Sequence, residues 1–215
     1  MEITSFSQIF PVVSCVVAFL LGSVPFGLLV ARLFKVNDLS SRGSGNIGAT
    51  NVSRVLGFWP AGAMTLALDM LKGMIPVFLL QPLGFGLWSS AAGLGEYSVP
   101  LTLTWGVGLA AVLGHCFSPW MHFKGGKGVA TGFGIVLLLS PISGLIGALA
   151  FIITFLSTRI GSLSSIAGLI MATTTDLIVY PVGAHLWLGA VLISVILIRH
   201  ESNIDALLEN REKAF

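Results

Sequence analysis

Charge is what this chain has least of. Only 9% of its 215 residues are Asp, Glu, Lys or Arg, while 55% are apolar. A water-soluble domain carries about 25% charged residues. That shortage excludes a globule with a polar cover and makes lipid the solvent for most of the chain. Cysteine is scarce as well. Cys15 and Cys116 lie in or beside apolar runs, with neither metal-ligand spacing nor a disulfide framework, and are expected to be small buried hydrophobes. The start, Met1-Glu2-Ile3-Thr4-Ser5, has no basic stretch, and no clear small-residue cleavage site follows. The first apolar run is therefore expected to be a retained span and not a signal peptide. The carboxylates are too scattered for a metal site, so neither metal nor cofactor is expected. Eleven cations against nine anions give a net charge of +2, and no nucleic-acid partner is expected. No internal repeat is visible, and no loop is long enough to hold a soluble domain. Residues 1–215 read as a single integral membrane domain.

What the chain does have is a series of apolar runs, near 9–31, 57–80, 100–117, 128–140, 143–158, 163–179 and 183–199. A crossing helix needs about 20 residues, within a range of about 17–25. The fourth and fifth runs are short and are split by Ser140-Pro141-Ile142-Ser143-Gly144. Cations decide the orientation, because Lys and Arg favour cytoplasmic loops. Arg32, Lys35, Arg42 and Arg54 fall in the first connection, Lys124 and Lys127 in the third and Arg159 in the fifth. Arg199, Arg211 and Lys213 flank the tail, and the connections near 81–99, 140–143 and 180–183 hold no Lys or Arg. The expected fold is an all-α, polytopic membrane helix bundle of about seven transmembrane helices, with the N-terminus outside and the C-terminus cytoplasmic. Five spans suffice if 128–158 does not cross twice and another pair is re-entrant. Gly132, Gly134, Gly144 and Gly147 suit close helix approach in lipid.

Three polar segments lie on the expected cytoplasmic side. The first is Arg42-Gly43-Ser44-Gly45-Asn46-Ile47-Gly48-Ala49-Thr50-Asn51-Val52-Ser53-Arg54. Glycines such as Gly45 let backbone amides turn toward a ligand. Ser44, Asn46, Thr50 and Asn51 add neutral donors, and Arg54 offers a planar fork for phosphate. A plain linker would not need basic residues framing so many hydrogen-bonding groups. The second segment runs from Gly114 to Thr131 and contains Lys124-Gly125-Gly126-Lys127-Gly128 just before an apolar helix. Unpaired amides and partial positive charge at a helix N-terminus make a ready anion site. A topology anchor explains the lysines but not the glycines between them. This is not a Walker A loop, since Gly128 stands where that motif needs Ser or Thr. His122 reads as an interfacial histidine, and His115 equally well as a helix-end structural histidine or a site residue.

The third segment is Arg199-His200-Glu201-Ser202-Asn203-Ile204. Arg199 reads as an interfacial anchor. His200 and Asn203, three apart, share a face if the helix continues, and a titratable His beside an amide suits an active site. Asp69 and Lys72 interrupt the second span. An isolated ion at helix-centre depth costs about 2.5–3.5 kcal/mol, so a pair facing the protein interior is expected. Asp176 is expected to reach the outer interface.

Together these strings resemble the acyl-phosphate:glycerol-3-phosphate acyltransferase family, the PlsY type. The resemblance rests on GSGNIGATNVSR, LDMLKGMIPV, GHCFSPWMHFKGGKGVAT and RHESNI and spans nearly the whole chain. It implies transfer of an acyl group from acyl phosphate to glycerol 3-phosphate. The products are 1-acyl-glycerol 3-phosphate and phosphate, in the first step of bacterial phospholipid synthesis. It implies a multi-pass protein of the bacterial inner (cytoplasmic) membrane, surrounded by membrane lipid, with its motifs on the cytoplasmic face. A soluble enzyme that makes acyl phosphate is a candidate for transient contact there. The family's functional positions match at Ser44, Asn46, Thr50 and Arg54, at His115, Lys124, Gly125, Gly126 and Lys127, and at His200 and Asn203. Departures fall in the tail. Ala206 stands where the family usually has arginine and Asn210 where it usually has glycine, whereas Glu212 matches. Asn tolerates the left-handed conformation better than most residues.

The site residues expected to be catalytic are Ser44, Asn46, Thr50, Arg54, Lys127, His200 and Asn203. Gly45, Asn51, His115, Lys124, Gly125, Gly126 and Gly128 are expected to bind substrate. Lys124, Lys127 and the Gly125–Gly126 backbone are expected to hold one phosphate, and Arg54 and Ser44 the other. The proton acceptor is His200 or the donor's own phosphate. No HxxxxD pair and no GxSxG elbow is present. Rival readings are a transporter of a small phosphorylated or anionic solute, an acyltransferase using a thioester donor, and a structural membrane-assembly subunit.

Overall fold

The computed structural model describes residues 2–80, 100–180, 183–212 and 214–215. The connection 81–99 and residues 181–182 of the connection 180–183, whose lack of cations helped set the expected orientation, lie outside the described residues. Among the described residues every regular element is helical. The order is α1 (Glu2–Gly22), α2 (Phe26–Leu33), α3 (Ala49–Leu56), α4 (Ala63–Leu80), α5 (Leu101–Cys116), α6 (Val129–Leu139), α7 (Pro141–Thr158), α8 (Gly161–Val179), α9 (Ala184–Ile198) and α10 (Glu201–Leu208).

Five described stretches are long and apolar enough to cross a membrane: Ile9–Leu33, Phe58–Leu80, Leu101–Met121, Pro141–Thr158 and Gly161–Val179. The other two expected spans are shorter apolar helices, Val129–Leu139 and Leu186–Ile198. At 1.5 Å per residue, α6 reaches only about 16 Å, against about 30 Å of hydrocarbon. Its length is cut by Gly128 at one end, in left-handed conformation at φ 83°, and by Pro141 at the other, which opens α7. The chain doubles back at Ser140: a Cβ on Gly144 would stand 2.7 Å from the Leu137 Cα. Two helices, and not one kinked span, therefore occupy 128–158.

α5 is the hub. It packs against α1, α4, α6 and α9, and Val107, Ala111, Val112 and Cys116 have no exposed surface. Small residues permit this. A Cβ on Gly22 would come within 2.1 Å of the Ala111 carbonyl oxygen, and one on Gly114 within 2.1 Å of the Phe19 oxygen. Cys116 is buried as expected.

The first span is broken between α1 and α2, because Pro25 has no amide to continue the helical ladder. In lipid the freed carbonyls need other donors. Ser118 Oγ donates to the Ser23 carbonyl at 2.7 Å, Lys72 Nζ to the Val24 carbonyl at 2.9 Å, and Trp120 Nε1 to Ser23 Oγ at 2.8 Å. Asp69 and Lys72 pair as expected, Oδ1 to Nζ 2.8 Å, both buried. Asp176 is half-buried and accepts from Ser143 Oγ at 3.2 Å.

Gly114→Val should force α1 and α5 apart. Overpacking of this kind costs about 1–3 kcal/mol, so thermal unfolding in detergent should show a lowered midpoint. Gly106→Ala on the same helix meets nothing within 4 Å and should leave the midpoint unchanged.

Candidate active site

The three polar segments meet at one end of the bundle, around a cleft of about 690 Å³. Ser40 lines it just ahead of the first segment, Ser44, Gly45, Asn46 and Ile47 from the first, and Met121, His122, Lys124, Gly125 and Lys127 from the second. Ile198, Arg199, Glu201, Ser202 and Asn203 line it from the third.

In the first segment, Asn51 acts inward. Its Nδ2 donates to the carbonyls of Arg42 (3.1 Å) and Asn46 (2.7 Å), and its Oδ1 accepts the Ser44 amide at 2.8 Å. With three bonds made and 1% of its surface exposed, Asn51 holds the loop in shape and has no reach to a ligand, contrary to the sequence expectation. Gly43 and Gly45 take left-handed φ of 60° and 72°, and a Cβ on Gly43 would lie 2.2 Å from Asn51 Oδ1. Asn46 Oδ1 accepts the Gly48 amide at 2.9 Å. Ser44 is left exposed on the cleft wall. Thr50 and Arg54 do not line the cleft. Thr50 packs on the start of α8, its Cγ2 2.8 Å from a Cβ placed on Gly161. The Arg54 guanidinium lies 5.5 Å from the Phe215 ring centroid.

The second segment corrects a further expectation. The Gly125 and Gly126 amides do not face a ligand. They donate to the Cys116 and His115 carbonyls at 3.1 and 3.0 Å, which caps the end of α5. Their own carbonyls accept from Arg199, Nη2 to Gly125 at 2.8 Å and Nε to Gly126 at 3.1 Å. Only glycine fits: a Cβ on Gly125 would stand 2.1 Å from the His115 oxygen, and one on Gly126 2.2 Å from His115 Nε2. His115 is thus the buried floor of the loop and does not line the cleft. Gly128 is buried against Val112 and Cys116. Lys124 is exposed and Lys127 half-buried on the wall.

The third segment closes a chain of contacts. Lys127 Nζ donates to Asn203 Oδ1. Asn203 Nδ2 donates to Glu212 Oε1 at 2.8 Å, and Ser162 Oγ donates to the same oxygen at 2.6 Å. Burial pulls Lys127 down to about 8; Glu212 opposes the drop, and Arg199 and Arg54 add to it. Arg54 therefore acts on the cleft through its charge although it does not line it. His200 is buried, its Nδ1 2.8 Å from the Ile196 carbonyl. A carbonyl only accepts, so Nδ1 carries the proton and Nε2 the lone pair. Burial pulls His200 down to about 4, opposed by the Ile196 bond and Glu212 and aided by Lys127. The ring is neutral at pH 7.

Two residues escaped the sequence reading in their real roles. Arg199 looked like an interfacial anchor, yet its fork joins the third segment to the second. Glu212 was noted only as a tail match, yet it orients Asn203. Nothing in local spacing links either to a partner over 70 residues away (Arg199) or across a turn and a helix (Glu212). Asn210 takes the left-handed conformation, with φ of 54°.

The fold and the cleft define a multi-pass membrane enzyme with one polar, cation-lined site at the end of its bundle. A family model described as glycerol-3-phosphate acyltransferase matches residues 12–210. The glycerol-3-phosphate acyltransferase of Myxococcus xanthus (strain DK1622) is 39% identical over 197 residues, covering 92% of this chain and 95% of the relative. Two crystal structures of PlsY (YgiH), an integral membrane glycerol 3-phosphate acyltransferase, are similar over 95% of both chains. The glycerol 3-phosphate form has TM-score 0.80 and 38% identity, and the lysophosphatidic acid form TM-score 0.78 and 37% identity. This chain belongs to the glycerol-3-phosphate acyltransferase family, which sets aside the transporter and assembly-subunit readings.

Arg199→Lys keeps the charge but loses the fork that grips two carbonyls. Hydrogen bonds to charged groups contribute about 1.5–3 kcal/mol each. Hydrogen–deuterium exchange across 118–128 should therefore quicken, with little change in peptides from α7 and α8.

Proposed function

We propose that this enzyme moves the acyl group of an acyl phosphate onto glycerol 3-phosphate, giving 1-acyl-glycerol 3-phosphate and inorganic phosphate in the first step of bacterial phospholipid synthesis. The observation that carries this reading is the single cleft in which Ser44, Lys124, Lys127, Arg199 and Asn203 come together. Both proposed substrates are phosphorylated, and the donor is already activated. What the protein must supply is side-by-side placement of two anions and stabilisation of developing charge.

The hydroxyl oxygen of glycerol 3-phosphate attacks the acyl carbon. The new ester C–O bond forms, the bond from acyl carbon to phosphate oxygen breaks, and its electron pair leaves with phosphate. Phosphate takes the hydroxyl proton, so no protein base is required. Lys127 and Lys124 hold one phosphate and Ser44 the other, with Arg54 adding long-range positive charge. Asn203 aims Lys127, and Glu212 aims Asn203. His200, neutral and held by the Ile196 carbonyl, serves as a positioning group. The acyl chain lies along the apolar side, Leu197, Ile198 and Ile204, of the adjoining open groove of about 440 Å³, whose rim carries Glu201 and Asp205 and which shares Ile198 and Glu201 with the cleft.

In the bacterial inner membrane the chain crosses seven times, the short α6 and α9 being accommodated by local thinning of the bilayer, with its N-terminus outside and the cleft in the cytoplasm. The distribution of Lys and Arg supports that orientation. The cleft is then open to a soluble source of acyl phosphate.

The deciding assay supplies purified enzyme with glycerol 3-phosphate and either acyl phosphate or acyl-CoA. Lysophosphatidic acid should form from the first and not from the second, without added metal. Turnover with acyl-CoA alone would reject the donor assignment. Lys127 also predicts a pH limb. Its folded value of about 8 means the ammonium is present below pH 8 and is lost above it. kcat/KM should fall about tenfold per pH unit on the alkaline side. Lys127→Arg should move that limb upward, and Lys127→Met should lower kcat/KM about 100-fold or more at every pH.

A further inference from the structure

Among the described residues one ion pair is buried in the membrane interior, and its two members reach toward different walls of the cleft. Lys72 Nζ donates to the Val24 carbonyl at 2.9 Å and lies 5.7 Å from the Phe26 ring centroid. Val24 and Phe26 flank the break that aims α2. α2 in turn carries Gly27 against the first polar segment: a Cβ there would stand 1.7 Å from the Ile47 carbonyl oxygen. On the other side, Asp69 Oδ1 is 3.8 Å from His115 Nδ1, which also meets Thr131 Oγ1 at 3.3 Å. His115 carries the second segment, through its carbonyl on the Gly126 amide and its ring beneath the Gly126 Cα. Asp69 Oδ1, paired with Lys72 Nζ at 2.8 Å, thus lies between that ammonium and the His115 ring.

Burying two ions in place of two apolar side chains is not a route to stability, and such pairs are often replaceable by hydrophobes at no loss. Ionisable groups at membrane depth instead mark function. We propose that Asp69 and Lys72 form a strut that sets the spacing between the two cleft walls. Lys72 registers the segment holding Ser44 to Asn46, and Asp69 registers the loop holding Lys124 to Lys127. Neither touches a reacting atom; both are positioning residues. Only the kinetic half of the test rests on the acyl-transfer reading.

Spin labels at Ser40→Cys and His122→Cys, in a Cys15→Ala, Cys116→Ala background, report the separation of the two segments. Three variants load the strut differently. Asp69→Glu keeps both charges and adds one methylene. Asp69→Lys with Lys72→Asp keeps the pair but reverses what faces Val24 and His115. Asp69→Asn with Lys72→Met removes both charges. The inter-label distance should shift by about 1 Å or more in Asp69→Glu, roughly the length that one added methylene contributes, and further in the double variants. KM for glycerol 3-phosphate should rise about three- to tenfold in Asp69→Glu with kcat nearly kept, and more in the doubles. Wild-type distance and wild-type KM in Asp69→Glu and in whichever double variant folds would overturn the strut. A fall in thermal midpoint with both readouts unmoved would overturn it equally, as a merely structural pair. An inactive parent enzyme would count against the acyl-transfer reading and leave the distance measurement to decide this one.

Discussion

The carbonyls of His115 and Cys116 at the end of α5 must be satisfied away from water, and the amides of Gly126 and Gly125 satisfy them. The shape of the cleft follows from that pairing. Gly126 is pressed against the His115 ring and Gly125 against the His115 and Cys116 carbonyls, where any Cβ would collide. The two glycines' own carbonyls face outward and are taken by the Arg199 fork. One dipeptide thus binds the second and third polar segments together, and Lys127 follows from it directly into the wall. A helix end that needed capping became the base plate of a site.

Much of the fold was legible because lipid leaves few choices. Low charge, apolar runs and the placement of Lys and Arg announced a helical bundle before any packing was known. Length was harder. The runs at 128–140 and 183–199 looked like spans by composition, but α6 is trimmed by the left-handed Gly128 and by Pro141, features of backbone conformation and not of hydropathy. The break after Gly22 was hidden for the same reason: a single Pro25 inside an apolar run does not say which distant donors will serve the freed carbonyls.

The site was legible as a set of segments and less so as a set of roles. Glycines, amides and cations in short connections pointed to anion handling, and those segments do line one cleft. What composition did not separate is a donor aimed at a ligand from a donor used within the loop. Asn51 and the Gly125–Gly126 amides look alike in sequence to groups that bind phosphate, yet each is bonded internally. Thr50 packs on Gly161 and Arg54 beside Phe215, contacts fixed by α8 and by the tail. Arg199 was undervalued because its partners lie more than 70 residues back.

The break in the first span also bears on how the protein is made. The Ser23 carbonyl finds its donor 95 residues later in the chain, at Ser118, and the Val24 carbonyl, which also accepts the Phe26 amide, its second donor 48 residues later, at Lys72. When the nascent segment leaves the ribosome and enters the bilayer, neither donor has been synthesised. Each unsatisfied carbonyl in hydrocarbon costs several kcal/mol, so the newborn first helix is an incomplete solute there. It gains its final register only when α4, and then the turn after α5, have been inserted beside it.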